Sequence, residues 1–200
     1  MQRYETAAPA QAEAALDRLG MNAAAPRVTH LILASCTGFA APGLDHCIVK
    51  RYGICGSVER SVIGLMGCQA AIDAPKLAWH IMRSDSDARV AVVCLELCAL
   101  HLQESSAIQG LLAFLIFADG GATALVTSEP GGFRVDGFYT AGVRQASDQI
   151  TWRIGDTGFV MTLSDALPLT PAHALPACSN AILGGVHPFA MPPLFAAHGR

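Results

Sequence analysis

Val62-Ile63-Gly64-Leu65-Met66-Gly67-Cys68-Gln69-Ala70-Ala71 is the stretch that decides the fold. Its first five residues read as a short apolar strand. Apolar residues at helical spacing then continue from Cys68 to Arg83, which predicts a helix. Gly67 permits a tight turn or a close approach between the two. A strand that enters a helix in this way brings Cys68 to the carboxyl edge of a sheet, where α/β proteins hold their ligands. The positive end of the following helix favours the thiolate and lowers a thiol's pKa from its free value of ~8.5. The amides of the same turn are placed to hold a developing oxyanion. A cysteine there also fits a small buried hydrophobe, and the chain has six others. Position alone leaves both readings open. Pro75 falls inside this helix, where a proline removes a backbone donor and costs ~3 kcal/mol.

Upstream, Val28-Thr29-His30-Leu31-Ile32-Leu33-Ala34 is an apolar run that predicts a buried strand. It ends in Ser35-Cys36-Thr37-Gly38 and a Pro42-Gly43 turn. Residues 6–19 predict a helix stopped by Gly20, and residues 44–53 predict another closed by Gly53. Downstream, residues 88–96 are the clearest strand, followed by a polar loop around 103–106 and a very apolar segment at 110–118. Asp119-Gly120-Gly121 breaks that segment, and 122–127 resumes as a strand. Glu129-Pro130-Gly131-Gly132 marks a boundary, after which 133–139 and 152–163 alternate like strands with one wetter face. Continuous apolar strands alternating with helices predict a layered α/β sandwich. Residues 167–200 carry six of the eleven prolines, no Lys or Glu and no clear period, which predicts a poorly ordered tail from 169 onward.

A hydrophobic fraction of 52% with only 14% charged residues excludes a disordered chain. A net charge of -3 offers no basic footprint, so nucleic-acid binding is not expected. The longest uninterrupted apolar stretch is 111–118, far short of the ~20 residues a membrane helix needs. Met1-Gln2-Arg3-Tyr4-Glu5 carries charge with no apolar run behind it, so no signal peptide is expected. Seven cysteines form an odd set without CxxC or Cys/His metal spacing. That predicts neither disulfides nor structural zinc, and a reducing cytoplasm.

Several motifs in order carry a resemblance. They are Val28-Thr29-His30-Leu31 through Thr37-Gly38, Pro42-Gly43, Ser57-Val58-Glu59-Arg60 and Gly67-Cys68-Gln69-Ala70-Ala71. Ala88-Arg89-Val90 to Cys94-Leu95-Glu96 and Phe117-Ala118-Asp119-Gly120-Gly121-Ala122 continue the set. Together, over residues 3–168, the chain resembles the type III polyketide synthases, the family of chalcone and stilbene synthases. Asp148-Gln149-Ile150-Thr151-Trp152-Arg153-Ile154-Gly155-Asp156 is similar to the bacterial branch in particular.

The resemblance implies a thiolase-type fold, a cytoplasmic homodimer and iterative use of malonyl-CoA with a starter acyl-CoA. Coenzyme A thioesters are then substrates, with no further cofactor and no metal. Cys68 matches the nucleophile that receives the acyl group before decarboxylative condensation. Phe117 matches the aromatic gatekeeper between the coenzyme A tunnel and the cavity; without the resemblance it reads as core packing. Thr37, Cys98 and His101 fall at positions that shape the pocket, and Ala41 sits in the loop that reaches the other subunit. Residues 1–129 are read as a partial N-terminal half, 130–168 as the start of the C-terminal half and 169–200 as a divergent tail. The family's base lies in a His-Pro-Gly-Gly context and is aided by an asparagine further on, so His101 is not assigned that role. Neither motif is present: His187-Pro188 follows Gly184-Gly185 instead of preceding two glycines. His173, His187 and His198 read as loop histidines. The resemblance therefore implies a chain incomplete at both ends with impaired activity. The alternatives are a non-catalytic remnant or partner-binding fragment, or a ketoacyl synthase III-like condensing enzyme, against which residues 152–156 and the Phe117 context speak.

Overall fold

His30-Leu31-Ile32-Leu33-Ala34 forms strand β1 (His30–Ala34), and its last four residues are buried. Both faces of the strand are therefore covered, as a continuous apolar run encodes. In this computed structural model, which describes residues 1–156 and 158–183, β1 pairs in parallel with β2 (Glu59–Ile63) and with β3 (Val90–Glu96). β4 (Gly120–Val126) adds antiparallel to β3, so the order is β2-β1-β3-β4. Ala34 lies opposite Ile63 on one side and Cys94 on the other. This register brings the carboxyl ends of three parallel strands to one edge.

Side chains alternate across a strand, so Leu31 and Leu33 point to one face and Ile32 and Ala34 to the other. The first face is covered by α1 (Gln2–Arg18) and α3 (Leu44–Tyr52), with the short α2 (Met21–Ala24) between them. Tyr4, Ala8, Ala12 and Leu16 of α1 recur every fourth residue and join Leu31, Leu33, Ile48, Val93 and Leu95 in one core. Gly20 and Gly53, at φ 75° and 61°, take the left-handed conformation that ends the preceding helices. Tyr52 ties α3 to α1: its hydroxyl donates to Asp17 at 2.9 Å and to the Glu13 carbonyl at 3.2 Å. Burial, then Asp17, pushes that phenol up to about 12. The second face is covered by α4 (Ala70–Ser84), whose Ala70, Ala74 and Ala78 pack on Ile32, Ala34, Val90 and Val92. Alanine at every fourth position lets the helix lie close on the sheet.

The chain divides into two compact units, Met1–Gln103 with Ile116–Arg134, and Glu104–Leu115 with the residues from Val135 onward. The second contains most of α5 (Ile108–Ile116), a hairpin of β5 (Ile150–Gly155) and β6 (Gly158–Leu163), and α6 (Leu169–Leu183). Trp152 meets Phe159 edge-on across the hairpin, with ring centroids 5.4 Å apart.

Four features depart from the sequence reading. β2 lies at Glu59–Ile63 rather than 62–66, because Leu65 turns to φ 54° and ends the extended run early. α4 continues through Pro75, as α1 does through Pro9. Residues 133–139, which alternate, form no strand in the structure. Residues 169–183, read as part of a poorly ordered tail, form α6 instead. Pro171 sits in its first turn, where a missing N–H breaks no helical bond, and alanines and leucines dominate the rest. His173 is thus helical, while His187, Pro188 and His198 lie outside the described residues. Among the described residues no helix is long and apolar enough to cross a membrane.

Candidate functional site

The loops that leave the three parallel strands hold Cys36 and Thr37, Cys68, and Cys98. After β2 the chain enters one tight helical turn, Gly67–Gln69, which runs straight into α4. Cys68 lies in that turn and is exposed, which removes the reading of a small buried hydrophobe. The helix behind it, fifteen residues long, begins at this turn with its N-terminal end. Backbone φ runs 54° at Leu65, -86° at Met66 and 65° at Gly67. Alternation of sign turns successive N–H groups toward one point, the arrangement called a nest. A leucine held in the left-handed region costs roughly 1–2 kcal/mol, so neighbouring contacts must impose it.

Glu96, at the end of β3, organises the next loop. Its two carboxylate oxygens accept the Cys36 N–H at 2.9 and 3.0 Å, and Oε2 also accepts the Thr37 hydroxyl at 2.8 Å. That hydroxyl oxygen in turn accepts the Leu97 N–H at 2.8 Å. Burial pushes the Glu96 carboxyl above its usual range, against the pull of the Thr37 and Cys36 donors. His101 is buried, and its Nε2 donates to the Thr37 carbonyl at 2.5 Å, since a carbonyl only accepts. The Tyr4 hydroxyl donates to Ser35 at 2.9 Å, and its ring lies over Gly38. A Cβ on Gly38 would stand 2.2 Å from that ring, so no other residue fits.

The structure brings Thr37, Cys98 and His101 to the edge that presents Cys68. Cys98 is half-buried; burial, then Glu96, Asp119, Cys68 and Cys36, pushes its thiol up to about 11. Burial and Glu96 likewise push Cys94 up to about 11. Phe117 is half-exposed and lies three residues before Gly120, which pairs with Glu96. Asp119 secures this approach by accepting the Ala99 N–H at 2.8 Å. Ala41 is exposed in the loop between β1 and α3 and is not drawn into the cluster. A cavity of about 220 Å³ opens beside the edge, lined by Tyr4, Ser35, Cys36, Phe39, Val62 and Leu65 among others. Among the described residues, no group of three or more His, Cys, Asp or Glu side chains is placed to hold a metal ion. The sequence reading quoted Glu96 only as the end of a strand. An acidic residue closing a run of buried valines was the available signal.

The two raised thiols predict an alkaline weakness. Each folded-state value lies above the ordinary 9.0, so the neutral thiol is the form the fold favours. That contribution is fully present below pH 9.0 and is lost as pH rises through about 11. The urea midpoint is expected to fall across this interval, and to fall less in the Cys94→Ala/Cys98→Ala chain. Equal falls in both chains would refute the assignment.

Residues 4–130 match the family model described as chalcone and stilbene synthases, N-terminal domain. The chain is 31% identical over 173 residues to the Mycobacterium tuberculosis protein called alpha-pyrone synthesis polyketide synthase-like Pks18, which covers 82% of this chain and 44% of that protein. Among solved structures, 1,3,6,8-tetrahydroxynaphthalene synthase from Streptomyces coelicolor matches with a TM-score of 0.78 and 26% identity, over 92% of this chain and 52% of that one. The type III polyketide synthase domain of Steely1 from Dictyostelium matches in fold with a TM-score of 0.83 at 22% identity, over 92% of this chain and 53% of that one. The layered α/β arrangement is, in these terms, part of the thiolase-like fold of the type III polyketide synthases. The chain belongs to the chalcone and stilbene synthase family, the type III polyketide synthases. It spans about half the length of the relatives it matches.

Proposed function

We propose that these residues carry the acyl-loading step of a type III polyketide synthase. One observation carries the reading: within the family-matched segment, an exposed thiol stands on a strand-to-helix elbow where three parallel strands end. The Cys68 thiolate attacks the carbonyl of a starter acyl-CoA, a tetrahedral oxyanion forms, and coenzyme A leaves as its thiolate. The acyl group remains on Cys68 as a thioester. Malonyl-CoA then extends it: loss of carbon dioxide gives an enolate that attacks the bound acyl carbon and expels the Cys68 thiolate. Phe117 is assigned the gate toward coenzyme A, and Thr37, Cys98 and His101 the wall behind the acyl group. Ala41 is assigned the contact with a second subunit of a cytoplasmic homodimer. Exposed Ile108, Leu111 and Leu115 on α5 are apolar surface of the kind such a dimer buries. No cofactor beyond the thioester substrates is assigned.

The second reading is a non-catalytic remnant or partner-binding fragment. The His-Pro-Gly-Gly and asparagine motifs are not among these 200 residues. Loading needs only the thiolate and donors for the oxyanion, whereas condensation needs a stabilised enolate. Incubation with a long-chain or aromatic acyl-CoA, followed by intact-protein mass spectrometry, separates the two. The expected result is one acyl adduct that disappears in Cys68→Ala. Folded, soluble protein that gains no adduct would leave the second reading standing.

A further inference from the structure

We infer that Cys36 is a positioning residue for Cys68, gripping the turn that presents the nucleophile through contacts on both sides of its own sulfur. The inference rests on the reading of Cys68 given above. Cys36 is buried just beyond β1, where Ser35 still donates to the Ile63 carbonyl at 3.1 Å and so keeps β1 registered on β2. The Cys36 N–H is fixed across the sheet by both oxygens of Glu96, at 2.9 and 3.0 Å. Its main chain therefore has no freedom to swing.

The side chain reaches the other way. Its Sγ donates to the Gly67 carbonyl at 3.6 Å, and Gly67 immediately precedes Cys68. The backbone of Gly67, Met66 and Leu65 opposes the upward push that burial and Glu96 give this thiol. A trans peptide points its C=O and N–H in opposite directions. The Gly67 carbonyl also accepts the Ala70 N–H, and the added tie to Cys36 keeps the Cys68 N–H turned away from Cys36. The sulfur thereby helps set the direction of the amide at the nucleophile. Glu96 acts one step further back, by holding Cys36.

A hydroxyl can donate to the Gly67 carbonyl, with a shorter reach; a methyl group cannot. The test follows the iodoacetamide alkylation of every cysteine by peptide mass from about pH 6 to 10, since the thiolate is the reacting form and iodide the leaving group. Wild type, Cys36→Ala, Cys36→Ser and Glu96→Gln are compared, each with its melting curve. Tyr4, Cys94, Cys98 and Glu96, the titratable groups around Cys36, are unchanged in the two Cys36 variants. Cys55, exposed in a distant turn beside Ser57, is the internal control. In Cys36→Ala the Cys68 rate near neutral pH is expected to fall about three- to tenfold and its pH midpoint to move, with Cys55 unaffected. Cys36→Ser should recover to within about twofold, and Glu96→Gln should fall between. A superimposable Cys68 profile in folded Cys36→Ala, or a serine variant no better than alanine, overturns the inference. If the alanine chain does not fold, unchanged profiles in both Cys36→Ser and Glu96→Gln overturn it. Wild-type Cys68 that reacts no faster than Cys47, an exposed thiol on α3, overturns the nucleophile reading itself. Fast Cys68 that is indifferent to Cys36 overturns only the positioning.

Discussion

Leu31→Ala is expected to lower the unfolding free energy by about 2–5 kcal/mol, the usual range for a truncated core leucine. Leu31 is 0% exposed and lies mid-strand in β1, opposite Arg60 of β2 and Ala91 of β3. Its side chain enters the core shared with Tyr4, Ala8, Ala12, Leu16 and Ile48. Few atoms there can move inward: α1 contributes mostly alanines, and β1 is paired on both sides. The cavity therefore stays open, which places the cost toward the upper half of the range. A domain is held by only about 5–15 kcal/mol, so much of the stability goes with one side chain. Urea unfolding measures it directly, because the midpoint falls while the slope stays constant. A loss under about 1 kcal/mol would mean that α1 and α3 do not close over this face as described.

Ala74→Leu should do comparable damage by the opposite route. Ala74 is 0% exposed and lies between Ala70 and Ala78 against the sheet. Extra methylenes in such a seam cost about 1–3 kcal/mol through displaced backbone. The helix cannot tilt away from the sheet without moving its first turn, and that turn carries Cys68. Loss of melting temperature should therefore accompany slower alkylation of Cys68. Ala71→Leu supplies the comparison: the same change on an exposed position of the same helix should leave both measurements nearly unchanged. Equal effects at 71 and 74 would contradict the packing of α4.

Much of this architecture is legible in the residues, and the failures have physical causes. β1 and β3 were readable because strands covered on both faces can afford no polar residue mid-run. α3 was readable to its last residue because Gly53 is needed at a left-handed position. β2 was misplaced by three residues: Glu59, Arg60 and Ser61 suit an exposed edge, where pairing rather than burial sets the strand. Residues 133–139 alternate correctly, yet a strand exists only beside another strand. α6 is not legible because prolines signal a break: Pro171 falls in the first turn, where a helix tolerates one, but α6 also runs through Pro176. At the site, Cys68 was legible from the strand-glycine-cysteine-helix order. The roles of Glu96 and Cys36 were not, because their hydrogen bond joins residues 60 apart in sequence. Nothing local in either residue announces the other.

The same long separations govern the order of events when the chain folds. The β5–β6 hairpin closes between near neighbours, Gly155 and Gly158, and such hairpins form in about 1–10 μs. β1 must instead find β3 across the intervening α3, β2 and α4. Parallel pairings of this kind are slow, because the intervening loops are closed before any contact compensates for their lost entropy. The elbow at Cys68 needs all three parallel strands in register, so it belongs to the last events of assembly. A newly made chain consequently passes through a period in which Cys68 belongs to no elbow, and it is set between β2 and α4 only when the sheet is complete.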